Sequence, residues 1–251
     1  MLVEETRSIL LAATLCYLFA TIFLSVSSKR RLKFLKARPE NLKKEEVGEL
    51  KKFIFPLSAM ALSGVFFGYI DTLMLGHYVS SSFIAYYGAA FALISSASAI
   101  IGFTSVALIP ILSRLKGKAL ENIFMKTQIF TIIISVMAGI FTYFISHLVI
   151  LLIYGKEYLL AGPILQALSI LLIVLPIAAL YDTYLISQKR TGVVASLLIV
   201  STILNVGFNF IGITYGLANY GEMGGVFGAV IATILSRVLY LAGLIFWRKN
   251  N

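Results

Sequence analysis

The sequence predicts an all-α, polytopic membrane protein, and three observations carry that prediction. Seven stretches of 22 to 26 residues hold almost no charge: 7–28, 53–76, 87–112, 128–153, 162–186, 192–213 and 224–247. At about 1.5 Å of rise per residue, each is long enough as a helix to cross a hydrocarbon core of about 30 Å. The composition agrees: 59% of the 251 residues are hydrophobic, only 13% are charged, and the mean hydropathy is +0.94. The segments between the apolar runs are short, polar and rich in Lys and Arg. A bilayer leaves no water for unpaired backbone groups, which helices satisfy internally, and these runs are too long and too evenly apolar for barrel strands.

The first run, 7–28, stands apart. Its basic flank, Lys29-Arg30-Arg31, follows the apolar stretch, the reverse of a cleaved signal peptide. It holds Cys16, the only cysteine, so neither an internal disulfide nor a cysteine metal site is expected. The linker 29–52 follows, with ten Lys or Arg. Pro39 and Asn41 mark the expected start of a short helix, and LKKEEVGELKK is expected to lie on the membrane surface before the second span.

Six runs then follow at short spacing, which implies antiparallel neighbours and a six-helix bundle. The expected organisation is one transmembrane helix over 1–28, a basic linker over 29–52 and a six-helix lobe over 53–251. Pro56 and Pro163 are read in first turns, where a missing N–H costs nothing, and Pro110 near the end of the third run. Pro176 falls mid-run in the fifth and should bend it, either as a static kink or as a flexing point. Asn205 and Asn209 share a face of the sixth, suited to bonding a neighbouring helix or to binding sugar hydroxyls. The seventh opens with Gly224, Gly228 and Ala232, a small-residue stripe that admits another helix closely.

The net charge of +10 is placed as in a membrane protein. Eighteen of the 21 basic residues fall in the linker, in 114–126, at Lys189 and Arg190, or at Arg248 and Lys249. All these segments share one side, so they and the C-terminus are expected to face the cytoplasm of a plasma-membrane protein. Anionic lipid is the natural partner of such loops, and no aromatic interleaving or motif points to nucleic acid.

No enzyme motif is present: Walker A, HExxH and GxSxG are absent, as are ligand-spaced histidines. No catalytic role, metal or cofactor is therefore expected. The informative residues are the ionisable groups inside the runs, Asp71, Asp182 and Arg237, because such groups are costly in hydrocarbon and face bundle interiors or water-filled cavities. Arg237 lies deepest, about 15 Å from the nearer end of its helix. Snorkelling, pairing with Asp71 or Asp182, and lining a cavity are all open for it. For Asp71, a buried hydrogen-bonded carboxylate and a coupling or gating group are both open.

Two segments go beyond generic membrane helices. The first, 56–90, has an apolar helix, then Asp71, Leu73, Met74, Leu75 and Gly76, a short loop, and Tyr86, Tyr87 and Ala89. The second, 187–233, has Gln188, Lys189 and Arg190, then Asn205 and Asn209, Tyr220 and Gly221, and Gly228, Ala229, Ala232 and Thr233. Together they resemble the polysaccharide-flippase branch of the multidrug/oligosaccharidyl-lipid/polysaccharide exporter superfamily, over 53–248. The resemblance implies transport of a polyprenyl-diphosphate-linked sugar by alternating access, without enzyme activity. Members have two six-helix lobes, and this chain resembles the C-terminal one. The other lobe is then expected from another chain or from a second copy. A guanidinium such as that of Arg237 suits a diphosphate bidentately. The alternatives are a cation-coupled drug exporter of the same superfamily and a non-transporting membrane subunit or remnant; an unpaired Arg237 would repel a cationic drug.

Overall fold

The computed structural model of the chain describes residues 2–31 and 43–250. Every regular element among them is helical: α1 Leu2–Arg31, α2 Lys44–Tyr78, α3 Ser81–Ala107, α4 Ile109–Leu112, α5 Gly117–Tyr154, α6 Ala161–Leu168, α7 Leu171–Ser187 and α8 Thr191–Asn250, with a 3₁₀ turn at Lys156–Tyr158. The chain forms two compact units, Met1–Gly48 and Glu49–Asn251. In the first, α1 is a 30-residue helix whose described apolar side chains, Cys16 among them, are exposed. Pro39 and Asn41 lie outside the described residues.

By length and composition four helices can cross a membrane: α2, α3 together with α4, α5, and α8. The α6–α7 pair makes a fifth span, bent by 40°. The fourth candidate needs division. A straight helix of 60 residues would be about 90 Å long, three times the hydrocarbon core. Gly221 interrupts α8 with φ 67° and ψ −161°, a backbone open to glycine and strained for other residues, and the chain reverses there. The two arms, 191–220 and 222–250, run back along each other.

Their contact is backbone on backbone. A Cβ added to Gly228 would lie 2.0 Å from the Gly212 carbonyl oxygen, and one added to Gly216 would lie 2.1 Å from that of Gly224. Of the stripe, Gly224 lies against Gly216 and Gly228 against Gly212, so these two glycines face the preceding arm of the same hairpin.

Three expectations are corrected here. Among the described residues no separate surface helix precedes the second span: α2 is continuous from Lys44. Its start is built locally: the Glu46 carboxylate accepts the Lys43 N–H at 2.8 Å, and Glu45 and Glu46 sit in the first turn, where acids favour a helix. Consequently Pro56 lies inside α2 and not in its first turn. The bend of the fifth span also falls before Pro176, at the Ser169–Ile170 junction of α6 and α7. There the Ser169 hydroxyl donates to the Gln166 carbonyl at 2.7 Å, and Leu172 N–H bonds Ser169 O in a tightened turn. Pro110 sits at the start of α4, just past the break at Leu108 that ends α3.

The α6–α7 span is central and buried on most of its faces, from Ala161 to Ser187. Around it, α3 turns Tyr87, Ala90, Ile94, Ser98 and Gly102 inward, and α5 turns Phe124, Thr131, Ser135 and Gly139 inward. The Gly139 backbone meets Ile173 and the Ser169 carbonyl so closely that a Cβ there would lie 3.0 Å from Ile173. The large apolar side chains on the opposite faces, such as Phe103, Phe141, Phe144 and Phe210, are exposed, as lipid-facing positions are. Two separate cores result. One, at the Gly221 end, gathers Leu75, Tyr87, Ile94, Leu168, Ile213 and Val230. The other, at the basic end, gathers Phe124, Leu180, Tyr181, Leu198, Tyr240 and Leu244.

Candidate functional site

Among the described acids Asp71 is the most completely enclosed, 1% exposed, on the α2 face that also buries Phe67 and Leu75. One carboxylate oxygen accepts the Tyr87 hydroxyl of α3 at 2.6 Å and the Thr233 hydroxyl of the second α8 arm at 2.5 Å. The other accepts the Asn209 amide of the first arm at 2.6 Å. One side chain thus ties four helical segments. Three donors on a buried carboxylate are the arrangement that makes its burial tolerable.

The polar seam continues down the hairpin. The Asn205 amide donates to the Ser236 hydroxyl at 3.2 Å and reaches Thr233 at 3.5 Å, and the Ser201 hydroxyl donates to the Ser236 carbonyl at 2.9 Å. Asn205 and Asn209 are both 0% exposed, so the structure joins them to neighbouring segments. Their amide oxygens, however, accept no hydrogen bond from the described residues. Buried acceptors left open beside a carboxylate make this spot oxygen-rich and short of donors.

Arg237, one helical step from Ser236, does not join that seam. Its guanidinium lies 3.4 Å from the centre of the Phe67 ring on α2. Neither Asp71 nor Asp182 is an ion-pair partner: among the described residues the single ion pair is Arg248 with Glu121. Asp182 instead accepts the Tyr240 hydroxyl at 2.6 Å, which ties α7 to the second arm. Of the readings open for Arg237, a direct pair with Asp71 or Asp182 is not formed, since each acid already has neutral donors in place; its guanidinium makes a cation–π contact with Phe67 instead. Arg237 is half-buried and makes no direct ion pair, but Asp71 and Asp182 lie within electrostatic range of its guanidinium.

Two features escaped the sequence reading. Glu222, directly after the Gly221 turn, accepts the Ser80 N–H at 2.7 Å and the Ser80 hydroxyl at 3.0 Å, across 142 residues. An apolar groove of about 610 Å³ also runs along the hairpin, lined by Phe208, Tyr215, Tyr220, Phe227, Ile231 and Leu235 beside the four contact glycines. At the basic end, Arg248 rests over the rings of Phe124 at 4.0 Å, Tyr184 at 5.0 Å and Tyr181 at 5.9 Å. The Gln188 side chain, in the basic turn, donates to the Leu112 carbonyl at 3.1 Å.

A family model described as polysaccharide biosynthesis protein matches residues 5–163, from α1 into α6. The chain belongs to this family. No curated protein and no solved structure matches it. The family match contains Asp71 and Tyr87, so two members of the buried cluster lie in the stretch that defines this polysaccharide biosynthesis protein. Asn205, Asn209, Thr233 and Arg237 lie beyond it and are joined to it by the fold.

Proposed function

We propose that this polysaccharide biosynthesis protein moves a lipid-linked oligosaccharide across the plasma membrane by alternating access, as the C-terminal lobe of a two-lobe transporter. The basic end faces the cytoplasm in this reading, by the placement of Lys and Arg. The second lobe lies outside residues 1–251, because transport of this kind needs two repeats moving about a midplane site.

The observation that carries the reading is the Asp71 cluster. A buried carboxylate on α2 that holds α3 and both arms of α8 is a point where one bound proton or small cation changes three inter-helical contacts together. The open amide oxygens of Asn205 and Asn209 add acceptors for such a cation. Arg237, with no acid in direct ion-pair contact, supplies positive charge for an anionic diphosphate and disfavours a cationic drug. The apolar groove beside the hairpin suits a polyprenyl chain.

The test is glycan export in cells that carry the complete two-lobe assembly. Asp71→Asn, which keeps the shape but not the charge, should abolish export at normal protein level. Export by Asp71→Asn equal to wild type would remove the coupling role, and drug efflux without glycan export would transfer the chain to the exporter class.

A further inference from the structure

We propose that Glu222 and Ser80 form a latch that holds the Gly221 end of the lobe closed and opens during transport. The inference rests on the transporter reading above and adds the place where the lobe parts. The geometry is specific. Ser80 caps α3 with an extended backbone (φ −67°, ψ 158°) and makes no capping bond with its own side chain. The cap is supplied from far along the chain: one Glu222 oxygen takes the Ser80 N–H and the other takes its hydroxyl. An anion at a helix N-terminus is favourably placed, which explains why a carboxylate reaches this point.

Three further observations make it a latch and not a permanent weld. Among the described residues, no other side-chain hydrogen bond joins the turn of α8 to the turn between α2 and α3. Ser80 is exposed, so water competes for both bonds when they stretch, unlike the enclosed bonds of Asp71. Gly221 carries the reversal of α8 with no atom within 4 Å of the place a Cβ would occupy, so the turn has room to move. Beneath the latch the two turns meet through Val79, 9% exposed, whose Cγ1 lies 3.4 Å from the Cβ position of Gly225.

The opposite end is fastened differently. There an ion pair and three aromatic rings hold Arg248, and the Arg190 guanidinium lies 5.7 Å from the Trp247 ring. At the turns above the Asp71 cluster the only side-chain hydrogen bonds joining them among the described residues are those of Glu222 and Ser80, which water reaches, and that is where the lobe opens.

Two measurements decide the point, both on the full chain in isolated membranes and in a Cys16→Ser background. In the first, Val79→Cys is titrated with a maleimide, with and without Glu222→Ala. The latch predicts slow labelling when Glu222 is present and a severalfold faster rate when it is absent, with Glu222→Gln between the two. In the second, Ser80→Cys with Glu222→Cys is joined by a short bifunctional thiol reagent that reduction cleaves. Joined protein should lose glycan export, and reduction should restore it. Labelling of Val79→Cys that ignores Glu222, or joined protein that exports as well as the reduced form, would overturn the latch. If even wild type exports no glycan, the flippase reading fails, and the labelling rates still judge the latch alone.

Discussion

The two ends of the lobe are built from different materials. At the Gly221 end, Asp71 is buried among neutral donors, and a second carboxylate, Glu222, again meets a hydroxyl and an N–H. Opposite charges do not meet there. At the basic end, cations meet rings and one acid: Arg248 with Glu121, Phe124, Tyr184 and Tyr181, and Arg190 with Trp247. The difference teaches where a bound charge matters. Neutral donors around one carboxylate can be released by a proton or a cation, whereas a guanidinium stacked on rings stays charged and keeps its contacts. In the transport reading proposed above, the Gly221 end responds to ligand charge and the basic end is an anchor.

The largest effect expected from this contrast is at Asp71. Asp71→Ala leaves the Tyr87, Thr233 and Asn209 donors buried without an acceptor, at about 1–3 kcal/mol for each unsatisfied group. Protein level and thermal stability in detergent should both fall, and glycan export should be lost. If Asp71→Ala were as stable as wild type, the cluster would not be the tie that holds the Gly221 end.

Gly228→Leu comes next. Its side chain meets the Gly212 backbone, which cannot yield as a side chain does, and a cost of about 3 kcal/mol is expected from overpacking alone. Loss of the hairpin should appear as a lowered melting temperature and as faster maleimide labelling of Asn209→Cys. Gly207→Leu, with nothing within 4 Å of its Cβ position, is the control and should have little effect.

Arg237 gives an intermediate effect, on transport more than on stability. Arg237→Ala forfeits a cation–π contact over Phe67 worth about 0.5–2 kcal/mol. Glycan export should fall strongly, and Arg237→Lys should retain a fraction, because it keeps charge but loses the bidentate fork. Equal export by Arg237→Ala and wild type would leave the residue a packing element.

The smallest effect belongs to the anchor's ion pair. Glu121 is about half exposed, so Glu121→Ala should cost no more than about 1 kcal/mol and leave export unchanged. A large loss there would erase the distinction between the two ends.

Much of this architecture is legible in the sequence, for reasons that also set the limits. Length and hydropathy place the spans because hydrocarbon thickness is fixed, so 128–153 lies within α5 and 53–76 within α2. They misplace the ends, because helices continue through interfacial residues such as Lys118, Glu121 and Glu46, which hydropathy counts as loop. The same bias placed Pro56 in a first turn. The small-residue stripe at Gly224 and Gly228 is readable as a packing face, and its mate at Gly212 and Gly216 repeats the four-residue spacing. That repeat was the available signal for a hairpin. Asp71, Asn205 and Asn209 stand out as polar residues in apolar runs. No local pattern says that positions 71, 87, 209 and 233 meet, since that depends on how four segments pack. Arg237 was equally visible, but its partner was not: a search for acids overlooks a phenyl ring.

The hairpin also bears on how the chain enters the bilayer. When the first arm of α8 emerges, Asn205 and Asn209 present amides to hydrocarbon, and the segment is a poor candidate to partition alone. The second arm brings Ser236 and Thr233 within reach of Asn205, and glycine contact lets the two arms close before they meet the rest of the lobe. The 60 residues of α8 are therefore expected to insert as a single unit, and a ribosome that stalls past Gly221 would release a nascent chain whose first hairpin arm is unshielded.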